Sequence, residues 1–184
     1  MAIAAFILAG GKSSRMGTDK GLLEYKNKPM IAHVIDAVEP ITKDISIITG
    51  NNDYKKFNKP LISDIIPEKG PMGGVYTALK RCPGSHALIL TCDTPLINTH
   101  LINILLEDYK SFEATYFSFG YKNYPLTAVY KKEVNNIFFN FISSNNLKMN
   151  NILQVLTSNR IYLNNTEGKL LANINTPEQL KNIK

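Results

Sequence analysis

The sequence has few of the residues that most metal, redox and nucleophilic sites are built from. Its two cysteines, Cys82 and Cys92, lack the paired spacing of a zinc site. Its three histidines, His33, His86 and His100, fall at no metal-ligand or triad spacing and read as structural or surface residues. No run of five or more basic residues occurs, so a polybasic arm is absent, and the scattered lysines behind the net charge of +6 read as a solvated face. No apolar run could span a bilayer. The N-terminal apolar run is too short for a signal peptide and lacks a basic start. These absences lead us to expect a soluble, cytoplasmic protein of a reducing compartment, with no nucleic-acid or membrane partner.

What is present begins with the first loop. The apolar run Ile3–Leu8 has the length and composition of a buried strand. It leads directly into Ala9-Gly10-Gly11-Lys12-Ser13-Ser14-Arg15-Met16-Gly17-Thr18-Asp19-Lys20. Glycine lets backbone approach a ligand and turn its N–H groups inward as an anion nest, and Lys12, Arg15 and Lys20 add positive charge at the same place. A Walker A loop needs a glycine where this chain has Phe6, and no glycine falls at the second or third position of the dinucleotide fingerprint. The loop therefore reads as a triphosphate grip of another kind.

Further along, the spacing predicts a helix from Pro29 through Val38, a strand at Ile45–Thr49 and a turn at Gly50-Asn51-Asn52. A short helix at Tyr54–Phe57 and a brief strand at Leu61–Asp64 follow. Ile65–Met72 reads as a loop, with a helix from Gly73 to Arg81 and a strand at Ala87–Thr91. This alternation argues for an α/β fold: three layers, a Rossmann-like, mostly parallel sheet with helices on both faces. In the second half, Ala114–Phe119 and Leu126–Tyr130 read as strands around a turn at Tyr121–Tyr124, which requires antiparallel pairing. Helices are expected at Leu101–Tyr109, Glu133–Ile142 and Asn151–Leu156, a strand at Ile161–Leu163, and a last helix opening at Thr176-Pro177. The 184 residues suit one domain, with residues 1–97 forming a nucleotide-binding half and 98–184 a second-substrate half.

Loops at the carboxyl ends of parallel strands form the binding crevice. Gly10 to Lys20, Asn51, Asp64 and Asp93 all fall there. A bound triphosphate and Asp93 do not share a site without a cation, so together they imply Mg²⁺, which is held by few carboxylates plus phosphate oxygens and water. Asp64 reads equally as a second ligand or as an anchor for its loop. Gly70-Pro71-Met72-Gly73-Gly74 brings backbone to the same edge, where it suits a base, or simply starts a helix. With metal and triphosphate in the crevice, nucleotidyl transfer is the natural reaction: an oxyanion attacks the α-phosphorus in line and pyrophosphate leaves.

Four stretches then match a family in order and spacing: the first loop from Leu8 to Lys20, Asp64 with Gly70-Pro71-Met72-Gly73-Gly74, Cys92-Asp93-Thr94-Pro95, and Asn173-Ile174-Asn175-Thr176-Pro177-Glu178. Together they resemble the molybdenum cofactor guanylyltransferases over nearly the whole chain. The resemblance implies GMP transfer from GTP to molybdopterin carrying molybdenum. It implies that Leu8, Ala9, Gly10, Gly11, Ser13, Lys20, Asn51, Asp64 and Gly73 bind GTP, and that Arg15, Lys20 and Asp93 are catalytic, with Asp93 on Mg²⁺. Pro125, Leu126, Asn173 and Asn175 would face the pterin, and transient protein partners would deliver or receive the labile cofactor. Lys148 stands near a position where family members often carry arginine, and it offers a point charge without the bidentate fork.

Two rivals use the same residues differently. A cytidylyltransferase or sugar-phosphate nucleotidyltransferase shares the loop and the metal aspartate. The cytidylyl branch tends to Ala-Ala-Gly where this chain has Ala9-Gly10-Gly11, and sugar-phosphate enzymes are usually longer. A non-catalytic nucleotide-binding or nucleic-acid-binding module would account for the positive charge, but Lys20 and Asp93 argue for catalysis, and no basic helix or aromatic platform supports nucleic acid.

Overall fold

The computed structural model describes residues 3–10 and 19–174. Gly11, Lys12, Ser13, Arg15, Asn175 and the expected last helix lie outside the described residues. The first strand is β1, Ala4–Leu8, every residue of it buried or half-buried. A 3₁₀ turn at Lys20–Leu22 follows, and then a small hairpin, β2 at Glu24–Tyr25 and β3 at Lys28–Pro29. Its two turn residues, Lys26 and Asn27, both have positive φ, as a tight type I′ turn requires. Lysine at such a position gives no turn signal, so the hairpin is not announced by its first turn residue.

Helix α1 spans Met30–Val38, with Pro29 as its cap residue. Strand β4, Ile45–Ile48, leads to a 3₁₀ stretch at Asn52–Phe57 and to β5, Leu61–Ile62. Helix α2 spans Gly70–Arg81, so it begins three residues earlier than the glycine pair suggested. Gly70 has φ +56°, a conformation glycine takes without a Cβ penalty. Pro71 is tolerated in the first turn because its missing N–H has no helical partner there. The stretch Gly70–Gly74 is thus a helix start and not an open glycine loop. Strand β6, His86–Thr91, completes the first half.

The second half holds α3 at Thr99–Leu105, β7 at Ala114–Phe119, β8 at Lys122–Lys131, α4 at Asn135–Ser143, α5 at Met149–Leu153, β9 at Ser158–Tyr162 and α6 at Asn165–Lys169. Helix α6 was not expected, although its signal is readable: Asn164 caps it and Glu167 closes a capping box. Strand β8 is longer than expected and contains an irregularity. Tyr116 pairs with Ala128, but the next residue, Phe117, pairs with Tyr124, so Pro125, Leu126 and Thr127 bulge out of the ladder. Proline has no N–H to donate and is at home at such a break.

The seven-stranded sheet has the order β5-β4-β1-β6-β8-β7-β9. Strands β5, β4, β1 and β6 run parallel, β8 runs antiparallel to both β6 and β7, and β9 is parallel to β7. The expected α/β class, the three layers and the antiparallel strand in the second half all hold. Alternation along β1 feeds two cores. Ala5 and Ile7 pack with Val34 of α1 and Leu101 of α3 on one face, while Ala4 and Phe6 pack with Val75 of α2 and Phe138 of α4 on the other. The chain leaves β1 for β4 and β5 on one side and returns to β6 on the other. That reversal opens a crevice beyond the carboxyl ends of β1 and β6. No helix among the described residues is long and apolar enough to cross a membrane.

Candidate active site

A cavity of about 660 Å³ occupies that crevice. Leu8 and Gly10 at the end of β1 form its floor, with Ile48 from β4 and Leu126 from the β8 bulge as apolar walls. The first turn of α2 supplies Gly70, Pro71 and Gly74. The charged lining among the described residues is Asp19, Lys20, Asp64, Glu68 and Asp93. Of the expected site residues, Leu8, Gly10, Lys20, Asp64, Asp93 and Leu126 are therefore brought together.

Others are placed differently. Ala9 is fully buried in the core, and its N–H donates to the Ile48 carbonyl at 2.9 Å, extending the ladder past β1. Gly73 is buried on the inner side of α2, where an added Cβ would lie 3.0 Å from the Ile66 carbonyl oxygen and from Lys69 Cβ. Gly74 is the glycine that meets the site: a Cβ there would stand 3.2 Å from Leu8 Cδ2, so its absence lets α2 close on the floor. Asn51 spends its side chain internally, accepting from the Asp53 N–H at 2.9 Å and donating to Asp19 Oδ2 at 3.3 Å. Pro125 is half-buried in the bulge, and its carbonyl accepts from the Tyr130 hydroxyl at 2.8 Å. Lys148 is an exposed cap residue of α5.

Asp93 is held from both sides. Thr91 Oγ1 donates to Oδ1 at 2.7 Å and Asn173 Nδ2 to Oδ2 at 3.2 Å, while the Ile174 N–H donates to the Asp93 carbonyl at 2.9 Å. Ile174 is itself buried against Tyr25 and Met30, so the small hairpin anchors the segment that carries Asn173. Asp64 stands at the cavity mouth. Burial against the wall raises its carboxyl above the ordinary range, and a hydrogen bond from buried Thr77 opposes that rise.

Asp19 was not singled out from the sequence, and neither were its neighbours Gly21 and Tyr54. The Asp19 carboxylate accepts from the Gly21 N–H at 3.2 Å, from the Tyr54 hydroxyl and from Asn51. Burial first, then the nearby Cys92 and Asp19, push the Tyr54 phenol up, so it stays protonated and donates. Burial likewise raises the Cys92 thiol, which makes it a packing group and not a thiolate nucleophile.

The lining suits a hard divalent cation. Among the described residues Asp64, Glu68 and Asp93 line the cavity together with Lys20, while the Asp19 carboxylate is taken up by Gly21, Asn51 and Tyr54. No group of three or more histidine, cysteine or acidic residues able to enclose a metal occurs among the described residues. All-oxygen donors, too few for a closed cage, fit Mg²⁺ completed by phosphate and water. Each Asp93 oxygen accepts one described protein bond and keeps acceptor capacity toward the cavity.

Residues 5–147 match the MobA-like NTP transferase domain. The chain belongs to that family. Among MobA-like relatives, it is 37% identical over 182 residues to a protein of Flavobacterium johnsoniae named a probable molybdenum cofactor guanylyltransferase, covering 98% of this chain and 96% of that one. It is 32% identical over 184 residues to the molybdenum cofactor guanylyltransferase of Shewanella piezotolerans, covering 96% and 89%. The fold is similar to that of molybdopterin-guanine dinucleotide biosynthesis protein A from Archaeoglobus fulgidus, with a TM-score of 0.82 at 20% identity over 97% and 95% of the two chains. The fold shared with that structure extends through the second half, beyond the matched residues.

Proposed function

We propose that this MobA-like transferase moves GMP from GTP to molybdopterin bearing molybdenum, forming the guanine dinucleotide cofactor and pyrophosphate. The observation that carries this is the convergence of Gly10, Lys20 and Asp93 on one cavity, with Asn173 bonded to Asp93. Near full-length similarity to proteins named molybdenum cofactor guanylyltransferase supports the choice of substrates.

Gly10, which lines the cavity at the end of β1, would border the nucleotide. The guanine would pack between Leu8 and the start of α2. A phosphate oxygen of the pterin attacks the α-phosphorus, the bond to the β-phosphate breaks, and pyrophosphate departs. The nucleophile is already ionised, so no side chain need remove a proton. Lys20 offsets charge that grows on the phosphate oxygens in the transition state, where a preorganised cation counts most. Asp93 would hold Mg²⁺, which when bound supplies a Lewis acid for the phosphoryl oxygens. Asn173 keeps the Asp93 carboxylate oriented, and Leu126 in the bulge faces the second substrate. In this arrangement residues 1–97 carry the nucleotide and 98–184 the pterin.

Calorimetric titration with GTP, CTP and ATP, each with and without Mg²⁺, tests the assignment, followed by a transfer assay with molybdopterin. Mg²⁺-dependent GTP preference and release of pyrophosphate are expected. A CTP preference would move the protein to cytidylyl transfer by the same chemistry. Absence of nucleotide binding, with or without pterin, would remove the enzymatic assignment.

A further inference from the structure

We infer that Tyr54 is a positioning residue for Lys20, acting through the carboxylate of Asp19. This rests on the proposed role of Lys20 at the triphosphate.

The geometry is local and closed. Lys20 opens a single 3₁₀ turn, fixed by the Leu22 N–H donating to the Asp19 carbonyl at 3.0 Å and the Leu23 N–H to the Lys20 carbonyl at 3.1 Å. The Asp19 side chain caps the same turn at the Gly21 N–H. One turn alone is a weak support, because 3₁₀ geometry is poor and short pieces fray. Here the cap is gripped from outside by the Tyr54 hydroxyl and the Asn51 amide, two residues that follow β4. Tyr54 is fully buried, so its ring is held by the core and its hydroxyl has little freedom to leave Asp19.

Gly21 ties this clamp to the opposite wall. A Cβ at Gly21 would lie 2.4 Å from the Tyr54 hydroxyl oxygen, 2.9 Å from Cys92 Cβ and 3.0 Å from Cys92 Sγ. The turn is thus pressed between Tyr54 and the residue immediately before Asp93. Lys20 and Asp93, on separate loops lining one cavity, take their spacing from that contact. Asp19 has three described donors on its two oxygens, which assigns it to holding the turn and not to serving as a second metal ligand.

The test compares Tyr54→Phe, Lys20→Ala and the double variant by guanylyl-transfer kinetics, with thermal midpoints alongside. Tyr54→Phe keeps the ring and removes only the donor. Loss of a hydrogen bond to a charged group, fully expressed in a rate, corresponds to about 10- to 150-fold, and an effect relayed through Asp19 falls at the low end. We expect kcat to fall by about tenfold in Tyr54→Phe with KM for GTP nearly unchanged. In the Lys20→Ala background the same change should have almost no further effect, because nothing remains to be positioned. A merely structural hydroxyl would lower the midpoint and act equally in both backgrounds, which overturns the inference. Asp19→Asn is the second variant: an amide in place of the carboxylate weakens the grip and should show the same dependence on Lys20. If wild-type protein transfers no GMP, the functional assignment fails and this inference falls with it. If wild type is active, Lys20→Ala is slow and Tyr54→Phe matches wild type, only the positioning role is lost.

Discussion

Asn173 Nδ2 donates to Asp93 Oδ2 at 3.2 Å, across 80 positions of sequence. The end motif and the aspartate after β6 are therefore one device. If Asp93 holds Mg²⁺ as proposed, removing a partner that orients it costs about 10–100-fold. Asn173→Ala is expected to lower turnover by about tenfold and to raise the Mg²⁺ concentration needed for half-maximal rate, read from a metal titration of the transfer reaction. Asn173→Asp removes the donor and adds a like charge, so it should be worse than alanine.

Asp93 and Lys20 act directly in the proposed mechanism. Asp93→Ala and Lys20→Ala should each reduce kcat by roughly 10²–10³-fold, the scale for losing one preorganised charge-stabilising group. Asp93→Ala also leaves the Thr91 hydroxyl and the Asn173 amide without their acceptor, so thermal midpoints measured alongside separate lost chemistry from lost stability. Rapid-quench measurement of pyrophosphate release separates a slow chemical step from weak binding.

Gly21→Ala tests the close approach beneath Lys20. The added methyl would sit 2.4 Å from the Tyr54 hydroxyl oxygen and 2.9 Å from Cys92 Cβ. Overpacking of this kind costs about 1–3 kcal/mol. Urea unfolding should show a lower midpoint with an unchanged slope, since the denatured chain is nearly the same.

His86 gives the fold a pH dependence far from the cavity. Burial first, then the Lys131 and Lys110 charges, lower its pKa below the ordinary 6.5, while Glu133 works against them. Between the lowered folded value and 6.5 the unfolded chain binds more protons. Stability is therefore fully present above pH 6.5 and declines as pH falls below it. His86→Gln should flatten that decline, measured as the difference in urea midpoint between about pH 7.5 and pH 5.5 in each protein.

A substitution at the cap of α6 tests a helix too short for periodicity to reveal. Asn164 accepts from the Thr166 and Glu167 N–H groups at 2.9 and 3.0 Å, and Glu167 returns a bond to the Asn164 N–H. Asn164→Ala should cost about 0.5–2 kcal/mol, with loss of amide-exchange protection concentrated in residues 165–169.

The first half was the more legible because its signals are local. The unbroken apolar run of β1 has the length and composition of a buried strand, and the spacing of Met30, Ile31, Val34, Ile35 and Val38 fits one side of a helix. The second half was read less well. A bulge such as Pro125–Thr127 arises from pairing with β7, and α6 is too short for periodicity to reveal. Lys26 and Asn27 turn a hairpin at positive φ, which asparagine favours but lysine does not announce.

The same division runs through the site. The sequence by itself determined the parallel architecture, the strand ends that carry Gly10, Asp64 and Asp93, and the cation at Lys20, because each depends on neighbours a few residues away. Tertiary structure alone decided that Asn51 serves Asp19, that Gly74 and not Gly73 shapes the cavity floor, and that Tyr54 stands behind the turn of Lys20. It also joined Asn173 to Asp93. The physical reason is that a buried donor or acceptor must find a partner wherever the fold brings one, and side chains distant in sequence compete for that place only once the sheet has assembled.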